Sequence, residues 1–70
     1  MNINEFFGNK VKEIREEQNV SIKELAAKIN KSVIYLKGLE QGNRKVRITT
    51  VFAICEALKT EPYILFENFK

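Results

Sequence analysis

The sequence predicts an all-α fold, a compact bundle of five helices in one small domain. Three observations carry that expectation. Apolar residues recur at helical offsets along the chain. Strand-like alternation over more than four residues is hard to find. Asn, Ser and Gly residues interrupt the apolar stripes where helices should start and stop. The length agrees, since 70 residues fall near the lower end of the ~50–200 residue range for a single core.

The first helix covers residues 3–17. Ile3, Phe6, Phe7, Val11 and Ile14 form one stripe, and Asn19-Val20 ends it, Asn tolerating a left-handed conformation. Ser21 and Glu24 make a capping box for the second helix, whose Leu25, Ala26 and Ile29 face inward. Asn30 stops it as a left-handed cap, and Ser32 caps the third. Tyr35, Leu36 and Leu39 form the third helix's inner stripe, and Gly42 ends it. A basic loop, residues 43–47, follows. The fourth helix places Ile48, Val51, Phe52, Cys55 and Leu58 on one face. Pro62, with Glu61 as cap, opens a fifth helix over about 62–69. Phe6, Phe7, Phe52 and Tyr35 read as core. Tyr63, Phe66 and Phe69 are more than a short terminal helix can bury, so an apolar surface remains for association.

Composition removes many functions. The chain is 44% hydrophobic and 30% charged, which excludes disorder and low-complexity classes. No apolar run approaches the ~18–20 residues of a membrane span. The start of the chain has no signal-peptide stretch, so a cytoplasmic location is expected. One cysteine and no histidine leave no familiar zinc site and no Ser–His or Cys–His catalysis. No catalytic residue, metal, cofactor, small-molecule ligand or membrane partner is expected. Cys55 reads as a buried inert thiol rather than a redox switch.

Charge is unevenly placed. Residues 1–30 are neutral overall. Residues 31–50 hold Lys31, Lys37, Arg44, Lys45 and Arg47 against Glu40 alone. Such a concentration points to a polyanion or to a solvated face.

Two short helices joined at Asn30-Lys31-Ser32 make a tight helix-turn-helix over about 22–41. Ala26 is small where the second helix crosses the third, and Asn30 follows four residues on. Leu36 and Leu39, ten and thirteen residues from Ala26, bury the third helix against the second. This pattern resembles the Cro/Xre-type helix-turn-helix family of bacterial and phage repressors. Four segments carry the resemblance through nearly the whole chain: Phe7-Gly8…Val11…Ile14-Arg15; Ser21…Glu24-Leu25-Ala26…Ile29; Tyr35-Leu36…Gly38-Leu39-Glu40…Gly42…Arg44; and Thr50…Ile54…Ala57-Leu58…Pro62…Leu65-Phe66. Small dimeric controller proteins of restriction–modification systems are similar in size and in the run from Tyr35 to Val46, and short phage repressors read much the same.

The resemblance implies a lambda-repressor-like DNA-binding domain over residues 1–70, bound as a homodimer to a roughly palindromic site on double-stranded, nucleoid-associated DNA. The third helix would enter the major groove with Val33, Ile34, Lys37 and Gln41 outward. Ser21, Lys31, Asn43, Arg44, Lys45, Arg47 and Thr49 would contact phosphates. Arg15 and Glu40 would pair and lock the third helix, and Tyr63, Leu65, Phe66 and Phe69 would form the dimer interface. Asn30 stands where the family usually has Gly, and Lys31 follows where an apolar residue is common. Val33-Ile34 stands where polar residues are usual. That pair can pack on thymine methyls, or serve as an apolar patch for protein contact on the same fold.

Overall fold

Asn2 starts the first helix. Its side chain accepts from the Glu5 amide at 2.9 Å, and the Glu5 carboxylate accepts from the Asn2 amide at 3.2 Å. This capping box launches α1, Ile3–Glu17, in a computed structural model that describes residues 1–69. Then come α2, Ile22–Lys28; α3, Val33–Glu40; α4, Ile48–Leu58; and α5, Pro62–Leu65. No strand occurs among the described residues.

The helix ends follow one device. Asn19, Asn30, Gly42 and Lys59 take left-handed φ values of 58°, 60°, 82° and 54°. Each lets the chain reverse while the next amide satisfies a carbonyl five residues back: Val20 to Arg15, Lys31 to Ala26, Asn43 to Gly38 and Thr60 to Cys55, at 2.9–3.0 Å. Ser21 and Ser32 then cap α2 and α3 through 3.0 Å bonds from the Glu24 and Tyr35 amides. Hydrogen bonds from Ser21 hold the Glu24 carboxyl below the ordinary glutamate range. Their contribution to α2 is present above that range and fades as pH falls through the lowered value.

Phe7, Val11, Leu25, Leu36, Ile54 and Leu58 form the centre of the core, fully buried. α1 and α3 cross closely because Gly8 lacks a side chain. A Cβ there would lie 2.9 Å from the Glu40 carbonyl oxygen and closer still to that of Leu39. Backbone atoms cannot step aside as a side-chain end can. Gly8→Ala is therefore expected to lose about 1–3 kcal/mol of stability in urea titration. Alanine gains about 1 kcal/mol over glycine in a helix interior, so a neutral or stabilising result would remove the close crossing.

Four expectations are corrected here. Ile48 is 70% and Phe52 57% exposed, not core. The buried stripe of α4 is Val51, Ile54, Cys55 and Leu58, and Ile48 and Phe52 lie on the neighbouring row. Tyr35 is half-buried rather than fully inward, and Val33 packs against the core rather than pointing wholly outward. The fifth helix is one turn, Pro62–Leu65, not a helix through residue 69. Asn68 is left-handed, with φ 68°, and the chain folds back. Phe66 stacks on Phe7 at 5.4 Å between ring centres, and Phe69 tilts against Phe6 at 5.1 Å. Lys70 of the expected domain lies outside the described residues.

Candidate nucleic-acid interface

α3 is fixed from behind. Leu36 and Leu39 enter the core, and the buried Glu40 carboxylate meets Arg15 as a two-point fork, with Nε to Oε2 at 2.8 Å and Nη2 to Oε1 at 3.0 Å. The remaining guanidinium nitrogen donates to the Val20 carbonyl at 2.9 Å, tying the α1–α2 connection to the same pair. Hydrogen bonding to Glu40 raises the Arg15 pKa further, so the pair stays ionised on its basic side.

The opposite face of α3 is open. Ile34 is 77% exposed, and Lys37 projects beside it. Gln41 is exposed at the C-cap, where its Oε1 accepts from Asn43 at 3.4 Å. Lys37 and Gln41 share a surface hollow with Lys12, Ile22 and the Arg15–Glu40 pair. Val33 leaves only part of its surface on this face.

The cations gather around it from two sides. Lys31, Arg47 and Thr49 line a shallow hollow of about 240 Å³ between the end of α2 and the start of α4. Arg47 is the N-cap of α4 but makes no side-chain cap, so the first amides of α4 point into that region unmasked. Arg44 lies over the Tyr35 ring, 5.0 Å from its centre, and Lys31 is 5.1 Å from the same centre. Lys45 and Asn43 are exposed on the loop. That loop is held by Asn4, whose Oδ1 accepts from the Val46 amide at 2.9 Å. Among the described residues, none of Lys31, Lys37, Arg44, Lys45 and Arg47 is within salt-bridge distance of a carboxylate. Ser21 lies apart from this cluster, at the start of α2, with its hydroxyl capping that helix.

The sequence reading missed Asn4, for which no signal exists, and the surface role of Tyr35, which the four-residue step from Lys31 could have raised. It also misplaced the apolar surface. Leu65 is 0% exposed and has nothing to offer a partner, a correction to its assignment to the interface. Phe66 and Phe69 spend much of their surface on Phe7 and Phe6. On α4 and α5 the exposed large apolar groups are Tyr63, at 69%, and the unexpected Ile48 and Phe52. An apolar hollow of about 270 Å³ lies beside them, lined by Val46, Ile48, Val51, Phe52, Pro62 and Phe66. Burial pushes the Cys55 thiol up in pKa and leaves it protonated. Among the described residues, no group of three His, Cys, Asp or Glu side chains could hold a metal, and no helix is long and apolar enough to cross a membrane.

Two short helices joined by a tight turn, the second held by a buried fork and flanked by unpaired cations, define a helix-turn-helix protein. The helix-turn-helix family model matches residues 11–65. The chain belongs to this family, the Cro/Xre-type DNA-binding transcription regulators. Among solved structures it is similar to the clp gene regulator ClgR from Corynebacterium glutamicum, at 26% identity and TM-score 0.92, over 94% of this chain and 70% of that one. It is also similar to the restriction-modification controller protein C.AhdI from Aeromonas hydrophila, at 31% identity and TM-score 0.84, over 89% of this chain and 94% of that one. The restriction-modification controller protein C.Esp1396I matches at 25% identity and TM-score 0.84, over 96% and 87% of the two chains. No curated relative matches the sequence.

Proposed function

We propose that the protein is a sequence-specific transcriptional regulator of the restriction–modification controller type, acting as a homodimer on a roughly palindromic operator without catalysis or cofactor. The observation that carries this reading is the placement of five unpaired cations around the open face of a helix locked by Arg15 and Glu40. Lys31, Asn43, Arg44, Lys45, Arg47 and Thr49 serve as phosphate contacts, with Ser21 at the more distant start of α2. Ile34, Lys37 and Gln41 read base edges, with Val33 contributing its exposed remainder. Lys37 takes guanine, and Ile34 takes the thymine methyl, since it has only apolar surface to offer.

Association runs through Ile48, Phe52, Tyr63 and the free edge of Phe66. These side chains offer an apolar face that water penalises, and a second copy covers it by two-fold symmetry. Each protomer measures about 30 × 22 × 21 Å. Two placed side by side suit recognition helices about 34 Å apart, one turn of B-DNA.

The exposure of Ile34 also favours a second reading, a protein-interaction module on the same fold. One experiment separates the two. Operators selected from a random duplex pool are expected to hold thymines opposite the start of α3. Replacing those thymines by uracil, which removes only the methyl, is expected to weaken binding by about 1 kcal/mol per contact. Ile34→Ala should bind the two forms equally. If no sequence is enriched, or if uracil is harmless to the unaltered protein, Ile34 does not read bases.

A further inference from the structure

Tyr35 has an unusual neighbourhood for a residue on an inner helical stripe. Two cations lie against its ring at nearly equal distance: the Lys31 ammonium at 5.1 Å and the Arg44 guanidinium at 5.0 Å. They come from different places, Lys31 from the α2–α3 turn and Arg44 from the loop after α3. The ring itself is anchored, because the Tyr35 hydroxyl shares a 3.2 Å hydrogen bond with Thr50 in the first turn of α4. Arg44 runs alongside Gly38: a Cβ there would make ordinary contact, 3.5 Å, with its Cγ and Nε, so a longer side chain would compete with Arg44 for that space. The only acid in this basic window, Glu40, is committed to Arg15.

Two like charges are thus drawn to one aromatic ring with no acid to neutralise them. The distances keep the charges within twice 5.1 Å of each other. One strand of B-DNA carries a charge per about 3.4 Å of axis, so neighbouring phosphates fit that span. We propose that Tyr35 is a positioning residue that holds Lys31 and Arg44 together as one site for two neighbouring phosphates of a DNA strand. The proposal rests on the DNA-binding reading above. The ring face attracts each cation, limits its rotamers and leaves its N–H groups free for the phosphate oxygens.

The test pairs a measurement on the free protein with one on the complex. In the free protein, the ring current of Tyr35 should move the Lys31 Hε and Arg44 Hδ resonances upfield. Tyr35→Phe keeps the ring and should keep both shifts and an affinity within about twofold of the parent. Tyr35→Leu should lose both shifts and bind a nonspecific duplex and the selected operator equally worse, by roughly threefold per cation, or about tenfold per subunit and about a hundredfold for the dimer. The losses from Tyr35→Leu and Arg44→Ala should not multiply, because both remove the same contact. If Tyr35→Leu does not fold, Gly38→Leu takes its place: it fills the space beside Arg44, leaves Tyr35 intact, and should abolish the Arg44 shift alone with about a threefold loss per subunit, about tenfold for the dimer. Full affinity in a folded variant that has lost the shifts overturns the proposal, as do multiplying losses. Upfield shifts in a protein that binds no duplex at low salt sink the DNA reading and the phosphate site together, while leaving the cation cluster itself established.

Discussion

Glu40→Ala is expected to cost about 3–5 kcal/mol, the usual result of stranding one member of a buried ion pair. A core of this size supplies only ~3–5 kcal/mol in total, so the variant should be largely unfolded at room temperature. The geometry gives the reason. Arg15 donates to both Glu40 oxygens and to the Val20 carbonyl, so the deletion leaves a guanidinium desolvated with one partner. Arg15→Lys should fail in part, because an ammonium cannot present the planar fork. Replacing both residues together, Arg15→Met with Glu40→Met, should recover much of the loss by removing the buried charges altogether. Circular dichroism during urea titration reads all three, with no DNA present. A Glu40→Ala protein within 1 kcal/mol of the parent would show that packing at Leu36 and Leu39 holds α3 unaided. Any loss of DNA binding in Glu40→Ala is then expected to track the loss of folded protein in the urea titration.

How much of this was legible in the sequence depends on how local each feature is. Ser21, Asn30, Ser32 and Gly42 act on atoms within five residues, and their chemistry marks the helix ends without tertiary help. Lys59 ends α4 just as firmly, yet lysine has no left-handed preference, so nothing flagged it. The side of α4 that is buried was misread for another reason. Ile48, Val51, Phe52, Cys55 and Leu58 are all apolar, and a helix apolar on two adjacent rows does not declare which row faces in. Packing against α2 and α1 selected Val51, Ile54, Cys55 and Leu58, and left Ile48 and Phe52 in solvent. At the C-terminus, helical offsets led to an eight-residue helix where the chain makes one turn. There Phe66 stacks on Phe7 and Phe69 tilts against Phe6, tertiary contacts with α1 that helical offsets do not reveal. The basic window was plain from composition. Which of its members meet was not, because Lys31, Arg44 and Tyr35 are brought together only by the turn and the loop.

Operator affinity is expected to fall by roughly four to six decades between 50 and 200 mM salt. The magnitude comes from the cation inventory. Lys31, Lys37, Arg44, Lys45 and Arg47 have no carboxylate partner among the described residues, and the start of α4 has no side-chain cap. With about four to six phosphate contacts per subunit, a dimer makes about eight to twelve, and the slope of log K against log salt is about −7 to −11. Arg44→Ala should flatten that slope by about two, one contact per subunit, and weaken all sequences alike. A changed sequence preference at an unchanged slope would contradict its phosphate role. Phe52→Glu tests the dimer on the same axis. It puts charge on the exposed apolar face without touching the buried stripe of α4, so the fold should survive. Sedimentation equilibrium at micromolar concentration should then show a monomer in place of a dimer, and the salt slope should drop to about −4 to −5. A parent protein that is monomeric yet keeps a slope near −9 would place about ten contacts on one subunit, more than the five cations around α3 can supply.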